Sequence, residues 1–134
     1  MAVRVSPGST ITPSESNAAK LQALAQQHAY DMARRSSLDH AGFMWHRGPA
    51  GAAAENVAVG CDTEACARRM WMQSPQHRAN MMLGGCQAVA SAVSASGRRY
   101  WAMEIGGSGG RGRGRGRDDG IPGRDFSIEG RNAP

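Results

Sequence analysis

The chain has 134 residues, 40% of them hydrophobic, a formal net charge of +5 and three cysteines. This length holds one domain with a single modest core, and no apolar run approaches the roughly 18 residues of a membrane-spanning helix. The basic excess is divided between the body and a glycine-rich end, so no patch of the body demands a polyanionic partner.

Residues 1–12 carry no apolar periodicity and are expected to be poorly ordered. Met1–Gly8 is too short and too polar to be the apolar core of a secretory leader. The first helix starts at Thr12-Pro13-Ser14-Glu15, where Thr12 caps, Pro13 takes the first helical position and Glu15 closes a capping box. It runs to about Ser36. Ala18, Leu21, Ala25, His28 and Met32 recur at steps of three and four and give one apolar stripe, with His28 at the edge of the core. Arg34 and Arg35 sit in the last turn, where cations meet the negative end of the helix dipole.

Residues 37–51 read as a loop with a short strand at Phe43-Met44-Trp45-His46. Ala52–Val59 is alanine-rich and reads as helical, ended by Gly60. Asp62 is expected to cap a helix over 63–73, and Ser74-Pro75 starts another that stops at Gly84-Gly85. Gln87–Ser94 alternates small residues with Val89, Ser91 and Val93, a strand pattern; Ser96-Gly97 supplies the turn, and Arg99–Ile105 is the hairpin partner. Trp101, Met103 and Ile105 fall on one face of that partner, and Tyr100, Ala102 and Glu104 on the other. The fold class that follows is α+β, a small central antiparallel sheet flanked by helices. Residues 108–134, with Arg-Gly alternating from Arg111 to Arg117, cannot bury apolar surface and are expected to be a disordered tail. The Arg-Gly run has no aromatic residue interleaved and leads into Asp118-Asp119, so nucleic acid is not the expected partner.

Three positions stand out chemically. Glu55 lies in an apolar run, where a carboxylate must be paired or neutral. His77 sits in the first turn of the helix after Ser74, whose positive end favours the neutral imidazole that a metal or a polar ligand requires. His40 lies in the loop after the first helix, and its interest comes from the other two; His46 is its substitute. Cys61 and Cys66 can close a small loop if oxidised, with Cys86 outside it or paired with one of them. Trp71 and Trp101 are core bodies. Ser74 reads as a cap, Arg78 as a bridge to an acid, and Asn80 as a tie to backbone groups.

The ordered set Leu38-x-His40-x-Gly42-Phe43, Glu55-Asn56-Val57-Ala58, Trp71-x-x-Ser74-Pro75-x-His77-Arg78-x-Asn80-Met81-Met82 and Tyr100-Trp101 resembles the CAP superfamily of cysteine-rich secretory, antigen-five and pathogenesis-related proteins, in its compact bacterial form. The resemblance covers residues 18–107, within a domain spanning 13–107. It implies an α/β/α sandwich and a cleft that gathers two histidines and two acidic residues. His40, Glu55 and His77 take three of those places, and Asn56 accompanies Glu55 as a structural residue. The second acid has no match after Trp71; Glu104 fills it if its strand face points to the cleft. By the same resemblance the set holds zinc or another divalent cation through His40, His77 and Glu55. The protein is then expected to be extracellular or periplasmic, monomeric, and a non-enzymatic module that binds a small molecule, a lipid or an extracellular protein. A metal-assisted peptidase using the same cleft is the alternative.

Overall fold

The computed structural model describes residues 13–107 and 126–129, with side chains over 17–107. Helix α1 spans Pro13–Arg35. Its buried positions Leu21, Leu24, Ala25, His28, Ala29, Met32 and Ala33 recur at steps of three and four, the spacing that makes one stripe on a helix. Ala18 is exposed and stands outside that stripe. The capping box expected at Thr12 and Glu15 lies outside the described residues and side chains.

After α1 the chain makes a single π-helical turn, Phe43–Arg47, where a strand was expected. Gly42 enters it at φ 90°, a left-handed conformation that a glycine adopts without steric cost. The wide turn closes with Arg47 N–H on Gly42 O and Gly48 N–H on Phe43 O. Its effect is to bury Arg47 and Phe43 and leave Met44 and Trp45 in solvent.

Ala52–Val59 is strand β1, not the helix its alanine content suggests. Glycines at positive φ, Gly51 and Gly60, bound it. Val57 and Val59 are β-branched, and the segment sits inside the sheet with both faces covered, so tertiary packing overrides helix propensity. Helix α2 spans Glu64–Met72 and is capped by Thr63, whose hydroxyl accepts from Cys66 N–H at 3.1 Å. The expected cap, Asp62, lies one residue too early. Cys61 and Cys66 form a disulfide across this helix start, and Cys86, half-buried, stands outside it.

Helix α3 spans Pro75–Met81, with Ser74 at the capping position. Strands β2, Gln87–Val93, and β3, Arg99–Gly106, form the expected hairpin. Gly85 is required where this hairpin begins: a Cβ there would stand 2.5 Å from Gly106 O.

The sheet order is β2-β3-β1-β4, with β2, β3 and β1 antiparallel. Strand β4, Phe126–Glu129, pairs in parallel with β1. It falls within the segment expected to be disordered. Its Phe-Ser-Ile alternation suits a strand, and its backbone satisfies the side of β1 that β3 leaves open. The remainder of that segment, and residues 1–12, lie outside the described residues.

The result is an α/β/α sandwich. On one face α1 packs Leu21, Ala25, Ala29 and Met32 over Ala52, Val57, Ala90, Tyr100 and Ala102. On the other, Ala67 and Trp71 of α2 and Met81 of α3 cover Ala54, Ala58, Trp101, Met103 and Ile105. Small residues on the sheet let the helices approach closely. Among the described residues no helix is long and apolar enough to cross a membrane.

Candidate functional site

Residue alternation along β1 sends neighbouring polar side chains into opposite layers. Glu55 points toward α1 with Val57 and Val59, and Asn56 toward α2 and α3 with Ala54 and Ala58.

On the α1 side, the register sets Glu55 of β1 directly opposite Glu104 of β3, and both are fully buried. Two buried carboxylates on one sheet face cannot both ionise without a cation. Arg47 supplies it from the π-helical turn. Its Nε and Nη2 donate to the two oxygens of Glu55, the latter at 3.0 Å, and Nη1 donates to Ala41 O at 2.9 Å. Arg47 Nε also stands 3.4 Å from Glu104 Oε2.

Two histidines complete the cluster. His40 Nδ1 donates to Glu55 Oε1 at 2.6 Å. His28 of α1 donates through Nε2 to Asp39 O at 2.8 Å and lies 3.7 Å from Glu55 Oε1. Asp39 holds the loop that carries His40. Its carboxylate receives two bonds from Arg35 at 3.0 Å, one from the Ser37 hydroxyl and one from Ala41 N–H, an Asx-type turn.

Burial alone would raise the Glu55 carboxyl, but hydrogen bonding from Glu104, His40 and Arg47 outweighs it and holds the group down at about 2. Glu104 goes the other way: burial, then Glu55 as hydrogen-bond partner and like charge, push it well above the usual carboxylate range. Neither Glu104 oxygen accepts a hydrogen bond among the described residues. A carboxylic acid donating its proton to Glu55 accounts for both facts. Burial also lowers His28, which favours the neutral ring. The cluster therefore balances one carboxylate against one guanidinium.

On the other side of the sheet, Asn56 donates to the backbone carbonyl of His77 at 3.1 Å and accepts from Asn80 at 2.9 Å. The expected backbone tie by Asn80 is thus a bond to another side chain. Trp71 Nε1 donates to Val57 O, and Trp101 Nε1 to Cys61 O. Arg78 donates to Met72 O rather than to an acid. Ser74 Oγ bonds His77 Nδ1 at 2.7 Å and makes no capping bond, contrary to its expected role.

The structure thus joins His40, Glu55 and Glu104 and adds Arg47 and His28. His77 is anchored through its own carbonyl to Asn56, whose side chain leaves β1 on the opposite face. Among the described residues no three His, Cys, Asp or Glu side chains are grouped to hold a metal ion. Glu55 could not serve as a ligand without giving up Arg47, which occupies both its oxygens. A divalent cation held by His40, Glu55 and His77 would have to compete with Arg47 for the Glu55 carboxylate. His46, the substitute ligand, bonds Gln27 at the surface. Sequence alone does not single out Arg47, because its burial depends on the π-helical turn; the signal it offers is that a buried Glu55 requires a cation nearby.

No curated protein and no solved structure matches the chain. Residues 16–105 match the family model described as CAP, the cysteine-rich secretory protein family. The match takes in nearly all of α1 and every element through β3, including each residue of the buried cluster, and the chain belongs to the CAP family.

Proposed function

We propose that this chain is a secreted, non-enzymatic CAP module that binds a small molecule, a lipid or an extracellular partner through the surface beside His40. The observation that carries the reading is the clamp of Arg47 on Glu55. A hydrolase using this site would need Glu55 as a general base or metal ligand. A carboxylate held at about 2 and hydrogen-bonded at both oxygens is a poor proton acceptor near neutrality. The Cys61–Cys66 disulfide supports an oxidising compartment, since such bonds persist outside the cytosol.

The test is to titrate zinc into the full chain by calorimetry and to assay hydrolysis of an unstructured protein such as casein, with and without zinc. The reading expects no stoichiometric zinc uptake and no turnover. Turnover abolished by His40→Ala would favour the metal-assisted peptidase instead. Alkylation of the protein in extracts from its source cells, with Cys86 alone modified, is the result expected of a protein that has been through an oxidising compartment.

A further inference from the structure

Among the described residues strand β2 is an outer strand of the sheet, and side chains from helix α1 reach its outward edge. Cys86 O accepts from Gly106 N–H, and Ser94 N–H donates to Arg98 O. In an antiparallel pair, alternate residues turn both backbone groups to the same side. Residues of the same parity, Ala88, Ala90 and Ala92, therefore face β3. Gln87, Val89, Ser91 and Val93 turn their N–H and C=O groups outward.

Two of those outward carbonyls are taken. Gln22 Nε2 donates to Val89 O at 2.9 Å, and Gln26 Nε2 donates to Ser91 O at 3.2 Å. The spacing makes this a matched pair. Residues four apart on a helix are separated by about 6 Å along its axis, and residues two apart on a strand by about 6.8 Å. Helix α1 runs along β2 in the same direction, so the two glutamines meet successive outward carbonyls.

The strand beneath them has the composition of a self-pairing edge. Gln-Ala-Val-Ala-Ser-Ala-Val carries no charge and no proline, the two devices that ordinarily blunt an exposed edge. About a two-fold axis at Ala90, two copies would align antiparallel with Gln87 opposite Val93 and Val89 opposite Ser91. No residue of β2 itself would set like charges opposite each other, and the nearest cation, Arg99 of β3, is engaged by the Ser91 hydroxyl at 2.9 Å. Val93 is already half in solvent, at 48% exposure.

We propose that the outer edge of β2 is a strand-pairing surface for a second copy of this chain, held closed by Gln22 and Gln26. The glutamines take the place of the missing charge and proline. They cap the acceptors that an incoming strand would use, while their exposed stems obstruct its approach.

The test is the double variant Gln22→Ala, Gln26→Ala in the full chain, followed by sedimentation equilibrium over a hundredfold range of concentration. Both positions are exposed helix sites where alanine favours the helix, and circular dichroism checks that the fold is kept. The wild type is expected to stay at 14.2 kDa and the double variant to double in mass as concentration rises. Adding Ser91→Pro removes an outward N–H that an edge strand can lose without harm to β3 pairing, and it is expected to return the variant to monomer. A double variant that stays monomeric overturns the proposal. So does a dimer that survives Ser91→Pro, or a wild type that already pairs through β2.

Discussion

Glu55 and Glu104 face each other across the β1–β3 ladder, both fully buried, one held ionised and the other held protonated. Arg47 decides which is which. It lies within hydrogen-bonding distance of both Glu55 oxygens and farther, at 3.4 Å, from Glu104. The guanidinium stabilises the nearer carboxylate, and the remaining acid keeps its proton because two charges on this face would share one cation.

The first prediction concerns pH. The folded chain holds a proton on Glu104 that the unfolded chain releases near 4.5. Its contribution to stability is whole below that value and declines as pH rises through the raised folded value. Glu55 acts in the opposite sense: its contribution is present above 4.5 and is lost as pH falls toward about 2. Glu104→Gln, which stays neutral at every pH, is expected to flatten the decline above pH 4.5 and to leave the acid limb in place. Thermal midpoints measured from pH 3 to 9 for both proteins check this; parallel curves would mean that Glu104 ionises normally.

A second prediction separates two residues at the start of α2. Thr63→Ala removes the hydroxyl that accepts from Cys66 N–H and is expected to cost about 1 kcal/mol, while Asp62→Ala is expected to cost less than about 0.5 kcal/mol. Urea denaturation with an unchanged slope reads both.

Much of this architecture was legible in the sequence, and the exceptions share a cause. Helix α1, the β2–β3 hairpin and the alternation of Trp101, Met103 and Ile105 follow from local periodicity, which the packing reinforces. Strand β1 departs from the helix its alanine content predicts, because its place between two other strands overrides that propensity. The cluster was partly legible for a similar reason. His40, Glu55 and Glu104 carry the pattern, but the face on which each lies is set by register. The tie that anchors His77, from its own carbonyl to Asn56, has no local sign in the sequence, because Asn56 leaves β1 on the face opposite Glu55. Arg47 gave no local sign, because it turns inward through five residues of π-helix.

A third prediction tests the disulfide. Cys61 and Cys66 are separated by five positions, and closing so short a loop is expected to contribute about 2 kcal/mol through the unfolded state. The variant Cys61→Ala, Cys66→Ala, compared with the oxidised parent by chemical denaturation, gives the value. A difference near zero would show that the bridge contributes nothing to the stability of the fold.

The account turns on Glu55 being the counter-ion of Arg47, and a double-mutant cycle with Arg47→Met and Glu55→Gln measures that pairing directly. Breaking a buried pair from one side leaves an uncompensated charge, at about 3–5 kcal/mol for either single variant. The double variant is expected to lose far less than the sum of the two, giving a coupling energy of about 2 kcal/mol or more. Additive losses, with no coupling between residues 47 and 55, would contradict the account and return Glu55 to the role of an available acid.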